Sequence, residues 1–199
     1  MPKASFFSQE YQAPARESNY MKLQDGENRF RILGPALEAA ELWIDGKPVR
    51  KATVNDFTAA ERNAADINNM TNQKGTPKEI LAFPVYNFDQ KAVQILQINQ
   101  VTIQRELYRL AQDEDWGDPQ DYSIVINRGK TGQKVSYTVS PKPKKELPAE
   151  AQEAWAAVEP GFDISRMLTD GNPFSSEGAS QSAGITEDEG QSNLDIDEI

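Results

Sequence analysis

Between Asn19 and Pro148, apolar residues return at every second position in one segment after another, and this period restricts the fold more than any other feature of the chain. Successive side chains on a strand point to opposite faces, so such spacing builds strands with one buried face. In "NYMKLQDGENRFRIL", Met21 and Leu23 alternate with Tyr20 and Lys22, and Phe30 and Ile32 alternate with Arg29 and Arg31. The intervening "QDGEN" carries turn chemistry, so the spacing predicts a hairpin with Arg29 and Arg31 on one face. "ALEAAELWID" sends Leu42 and Ile44 one way and Trp43 the other, and "GKPVRK" then turns and adds three bases. "ILAFPVYNF" and "AVQILQIN" read as two strands joined through "DQK", with Pro84 demanding an edge or a bulge. "DYSIVINRGKTGQKVSYTVS" reads as a last hairpin, with Tyr122, Ile124 and Ile126 facing inward opposite Val135, Tyr137 and Val139.

The period becomes helical in two places. Phe57, Ala60, Ala64 and Ile67 recur at helical spacing, and Thr58 with Glu61 matches a capping box. Residues 100–113 carry Ile103, Leu107 and Leu110 as an apolar stripe that ends before the acidic turn "DEDWGDP". The loop "TNQKGTPKE" lies between the two, and beyond the basic exit "PKPKKELP" the segment "AEAQEAWAAV" predicts one more short helix. Strands with a helix before the final hairpin fit a mainly β fold. The order predicts a five-stranded Greek-key OB-type barrel with inserted short helices, its main helix plugging the barrel between strands three and four. Other small β-barrels and an α+β sandwich are the alternatives.

Four segments follow from composition. Residues 1–18 form a flexible arm containing Phe6, Phe7 and Tyr11; 19–148 the β domain; 149–168 a short helical extension; and 169–199 an acidic tail. The tail holds too little apolar surface to offset the entropy of ordering it, which predicts disorder. Residues 170–199 carry eight acids and no base, leaving 23 acids against 21 bases in the rest, so the net charge of −10 misdescribes the body. A near-neutral body is compatible with a polyanionic partner.

The chain has no Cys and no His. Disulfides, thiolate nucleophiles, His general bases and the usual zinc sites are therefore excluded, and no cofactor is expected. Asp113, Glu114, Asp115 and Asp118 could hold Mg²⁺ for a nuclease, but acids at a helix end more often solvate a turn. "RGKTGQ" lacks the upstream Gly of a phosphate loop, which falls at Ile124. No run approaches the length of a membrane span, and no signal peptide opens the chain, so a cytoplasmic, non-enzymatic protein is expected.

Binding to single strands requires cations along the phosphates and aromatic faces for the bases. The candidates for the phosphates are Arg29, Arg31, Lys47, Arg50, Lys51, Arg128, Lys130 and Lys134, and those for stacking are Trp43, Tyr86 and Phe88. The run 128–145 adds Lys142, Lys144 and Lys145 with no intervening acid. At the other end, "LDIDEI" can present Leu194, Ile196 and Ile199 to a groove on a partner while Asp195, Asp197 and Glu198 seek basic residues at its rim.

These blocks together resemble the single-stranded DNA-binding proteins of tailed bacteriophages. The resemblance runs from about Asn19 to Pro148 and rests on "NYMKLQDGENRFRIL", on "FPVYNF" with "AVQILQI", and on "LAQDEDWGDPQDYSIVINRGKTGQKVSYTVSPKPK". It implies an OB fold, dense coating of single-stranded DNA in replication and recombination within the host cytoplasm, and recruitment of replication or recombination proteins through the acidic C-terminus. Self-association along the strand through the N-terminal arm is a further expectation. Two departures stand out: residues 52–79 contain no ligand for the zinc module of some relatives, and the tail ends in Ile199 rather than an aromatic residue. The alternative is an OB-type adaptor or inhibitor without DNA affinity.

Overall fold

The computed structural model describes residues 18–68, 72–132 and 134–175. Its alternating segments become strands β1 (Gly26–Ile32), β2 (Leu37–Ile44) and β3 (Lys47–Lys51). A two-residue ladder, β4 (Ile67–Asn68) with β5 (Gln73–Lys74), stands apart. β6 (Lys78–Asn87), β7 (Ala92–Ile98), β8 (Ser123–Thr131) and β9 (Lys134–Pro141) complete the set. Seven of them make one antiparallel sheet in the order β3-β2-β6-β1-β8-β9, with β7 on the other side of β6.

β1 and β2 are two halves of one bent strand laid against β6. Ile32 faces Val85 and Leu37 faces Ala82, so five steps on one side match three on the other. The surplus forms a bulge that bends the strand. Leu33 still donates its N–H to the Pro84 carbonyl at 2.9 Å. Pro84 has no N–H to lose and sits where the ladder is interrupted, which fulfils the requirement its ring imposed on the sequence. Gly34 occupies the corner because a Cβ there would come within 3.2 Å of Pro84 Cγ.

The inner face holds the main core. Phe30, Phe83, Val85, Leu96, Ile98, Ile124 and Ile126 pack there with Tyr122, and Tyr137 and Val139 of β9 lie against them. Helix α2 (Val101–Gln112) buries Ile103, Leu107 and Leu110, as its stripe predicts, the first two within this core. Helix α1 (Ala59–Ala64) carries the expected capping box, with Thr58 and Glu61 satisfying each other's backbone. Of its predicted apolar face, however, only Phe57 is buried, beside Ala40 and Leu42 of β2, while Ala60, Ala64 and Ile67 are exposed.

Three expectations are corrected. Residues 19–23 do not pair with β1. Instead they edge β7, with Met21 N–H donating to Ile95 O at 2.9 Å and Ile95 N–H to Asn19 O at 2.8 Å. The Asn28 side chain explains why: it accepts from Gln24 N–H at 2.7 Å and donates to Gln24 O at 2.8 Å and Ile126 O at 3.1 Å, closing the turn without a strand partner. Second, the sheet does not close into a barrel: among the described residues β7 and β9 form no ladder, and the edge of β7 is taken by residues 19–21. Third, order does not end at 168.

The extension continues to Ser175 and covers the outer face of the sheet. Helix α3 (Ala149–Val158) packs against β7, and a 3-10 turn, Ile164–Thr169, crosses β2, β3 and β6. Met167 is buried with Ala82 and Ile95, and Phe162, Ile164 and Phe174 close over them. Trp155, Phe162 and Phe174 form an edge-to-face series at 5.5 and 5.2 Å. Among the described residues no helix is long and apolar enough to cross a membrane.

Candidate nucleic-acid interface

Strand parity sets Arg29 and Arg31 on the outer face, opposite Phe30 and Ile32. Arg31 pairs with Tyr86 of β6, and the next position, Arg29, accepts the Phe88 N–H at 3.2 Å. The result is a two-by-two array of cations and rings. The Arg29 guanidinium lies 4.4 Å from the Phe88 ring centroid, and Tyr86 meets Phe88 edge-on at 5.2 Å. An exposed Arg held over a half-buried ring offers a charge and a π-face together.

The inner pair of the array is covered. Tyr86 is buried under α3; burial pushes its phenol up, and the Glu150 carboxylate, to which it is hydrogen-bonded, adds to that shift. Arg31 is 2 % exposed, and its Nη2 donates to the Lys145 carbonyl. Burial lowers its pKa, partly offset by the nearby charge of Asp121, while Arg29 lowers it further. Neither side chain meets solvent as the sequence expectation required, because the segment after β9 runs back over this face.

The remaining candidates are dispersed. Lys130 and Lys134 are exposed at the tip of the β8–β9 hairpin, where Lys134 faces Thr131. Arg128, nearer the sheet, is paired with Asp25. At the far end of the bent strand, Arg50 Nε meets Glu41 Oε2 at 2.9 Å and its Nη2 donates to Gln97 Oε1 at 3.2 Å. Gln97 and Trp43 also donate to the Glu41 carboxylate, at 3.0 and 3.2 Å. Lys51 donates to the Glu61 carboxylate at 2.8 Å and to Asp56 O at 3.1 Å. Arg50, Lys51 and Arg128 are therefore neutralised locally, Trp43 is half-buried with its indole N–H engaged, and Lys47 is exposed. The structure brings Arg29, Arg31, Tyr86 and Phe88 together and leaves Trp43, Lys47, Arg50 and Lys51 at the opposite end.

Two features escaped the sequence reading. Glu41 and Arg50 are directly opposite across the Asp45–Gly46 turn. A two-residue hairpin count from that Asp-Gly pair would have matched them and removed Arg50 from the candidates. The second is a cavity of about 400 Å³ where Lys144 and Lys145 converge on Arg31 with Gln120 and Asp121. A larger cavity, about 660 Å³, opens between the strand corner and α2 and touches none of the phosphate or stacking candidates.

The acids of "DEDWGDP" cap turns. Asp113 Oδ1 accepts from Asp115 and Trp116 N–H groups, and Asp118 Oδ1 from Gln120 N–H. The arm residues Phe6, Phe7 and Tyr11 and the tail residues Leu194, Asp195, Ile196, Asp197, Glu198 and Ile199 lie outside the described residues. No protein-family model, curated protein or solved structure matches this chain.

Proposed function

We propose that this protein binds single-stranded DNA without sequence preference and without catalysis, coating it during phage replication and recombination. The observation that carries the reading is the exposed Arg29 stacked on Phe88 on the outer sheet face. Strand connectivity supports it: β7-β6-(β1/β2)-β8-β9, with α2 between β7 and β8, is the order of a partly open OB barrel in which the bent strand serves as strand one. In that frame β3 and α1 belong to an insertion between strands one and two. Phosphates follow Arg29 toward Lys134, which strand parity sets on the same outer face, and a base stacks on Phe88. The acidic tail, through Leu194–Ile199, recruits replication or recombination proteins.

The local pairing of Arg50, Lys51 and Arg128 and the burial of Tyr86 favour a second reading, an OB-type adaptor without DNA affinity. Titration of a labelled oligo-dT separates the two. Expected are binding that weakens as salt rises, with a slope of about −0.7 for each phosphate neutralised, and a loss of about 5- to 150-fold on Phe88→Ala, matching a stack of about 1–3 kcal/mol. Absence of binding at low salt leaves the adaptor.

A further inference from the structure

Two charged side chains are buried on the described sheet, Glu41 and Arg31. Glu41 is answered by Arg50, Gln97 and Trp43. Arg31 is not comparably answered: Nη2 has the Lys145 carbonyl, while Nε and Nη1 are enclosed without an acceptor. Burying a cation with so little compensation is costly and calls for an explanation.

The cavity of about 400 Å³ beside it supplies one. Its walls carry Arg31, Lys144 and Lys145 against Asp121 and Glu146, an excess of one positive charge, with the Gln120 side chain as a neutral lining group. Neither acid forms an ion pair with Arg31. Lys142 N–H donates to Ser123 O at 2.8 Å and Lys145 N–H to Asp121 O at 3.4 Å, so the segment after β9 is tied to the start of β8 firmly at Lys142 and only loosely at Lys145. The cavity is an open depression with a mainly polar lining, which suits a charged ligand that keeps part of its hydration.

We propose that this cavity is a phosphate-binding site, with Arg31 as its buried anchor and Lys144 and Lys145 as its rim. A guanidinium with two unpaired nitrogens matches a tetrahedral oxyanion that can accept several N–H bonds in one plane. The phosphate oxygen replaces the Lys145 carbonyl as acceptor for Nη2, and the segment carrying Lys144 and Lys145 gives way to admit it to Nε and Nη1. Arg29 and Arg31 are two residues apart on one strand face, about 6.8 Å. A strand whose base stacks on Phe88 therefore brings a neighbouring phosphate to this cavity. That source rests on the single-strand reading above; the oxyanion chemistry does not.

The test titrates inorganic phosphate into the full chain against chloride at equal ionic strength, followed by ³¹P line broadening and the Lys145 amide shift. Saturable binding is expected, weakened at least tenfold in Lys144→Ala/Lys145→Ala and lost in Arg31→Met, with circular dichroism checking each fold. The lysine pair is at the surface and keeps the test open should Arg31→Met fail to fold. No saturable binding, or binding unchanged in the lysine pair, overturns the site. A dT oligomer with and without a 5′-phosphate then distinguishes sources. At least fivefold preference for the phosphorylated form assigns a terminal phosphate, equal affinity with competition by inorganic phosphate assigns the backbone, and both uphold the cavity. Phosphate binding that persists while neither oligomer binds sinks the single-strand reading alone.

Discussion

Replacing Arg50 by Met decides whether this arginine serves the sheet or a nucleic acid. The Glu41 and Arg50 side chains are only 8 % and 12 % exposed, and the carboxylate depends on Arg50 Nε at 2.9 Å. Arg50→Met keeps most of the volume but leaves a buried carboxylate with only Gln97 Nε2 and Trp43 Nε1. Removing one partner of a buried pair costs about 3–5 kcal/mol, because the other charge is stranded. For a chain of this size each kcal/mol moves Tm by about 2–4 °C, so a fall of about 6–20 °C is expected. Glu41→Gln combined with Arg50→Met should recover most of it, since a neutral amide needs less than a carboxylate. The assay is thermal unfolding by circular dichroism at pH 7, with oligo-dT affinity measured well below the transition. A Tm change under about 2 °C together with an affinity loss as large as that of Phe88→Ala would refute the assignment, since Arg50 would then be spent on a ligand.

Two further outcomes follow from named contacts. The Glu61 carboxyl is held at about 2, below its ordinary 4.5, by the Lys51 hydrogen bond first and then by the backbone and hydroxyl of Thr58. Its folded value lies below its unfolded one, so its contribution is complete above about pH 4.5 and disappears as pH falls toward 2. A carboxyl NMR titration should give a midpoint near 2 that rises in Lys51→Ala, and a midpoint above 4 in the parent chain would contradict the geometry. Truncation after Ser175 removes seven carboxylates and no base, taking the net charge from −10 to −3. It should tighten oligo-dT binding, most at low salt, and leave Tm unchanged. Truncation after Asp170 also deletes Phe174, packed 5.2 Å from Phe162, and should cost about 1–2 kcal/mol.

The reach of the sequence can be judged from particular residues. Period and turn chemistry identify β6 through β9, α2 with its three buried residues, and α1 with its cap, because each depends on neighbours within a few positions. Parity sets Arg29 and Arg31 on one face, and this too holds. Parity carries no information about what covers a face. Arg31 is sealed by Lys145, and Tyr86 by the helix that begins at Ala149, contacts that span over a hundred positions in the first case and more than sixty in the second. The "QDGEN" turn misled for a related reason: turn chemistry marks where the chain bends, and the Asn28 side chain satisfies that bend without a second strand. The acidic turn at 113–118 is the opposite case, since its caps are local and the bland reading from sequence matches the geometry.

The clasp of Phe174 against Phe162 holds the last described residues on the side of the sheet that carries Arg29 and Phe88. Under the single-strand reading proposed above, a tail segment that competes for this face does so from within the same molecule, at an effective concentration of about a millimolar whatever the concentration of the protein. Any contest between that segment and a ligand is therefore immune to dilution, and assays run at nanomolar protein would meet it undiminished.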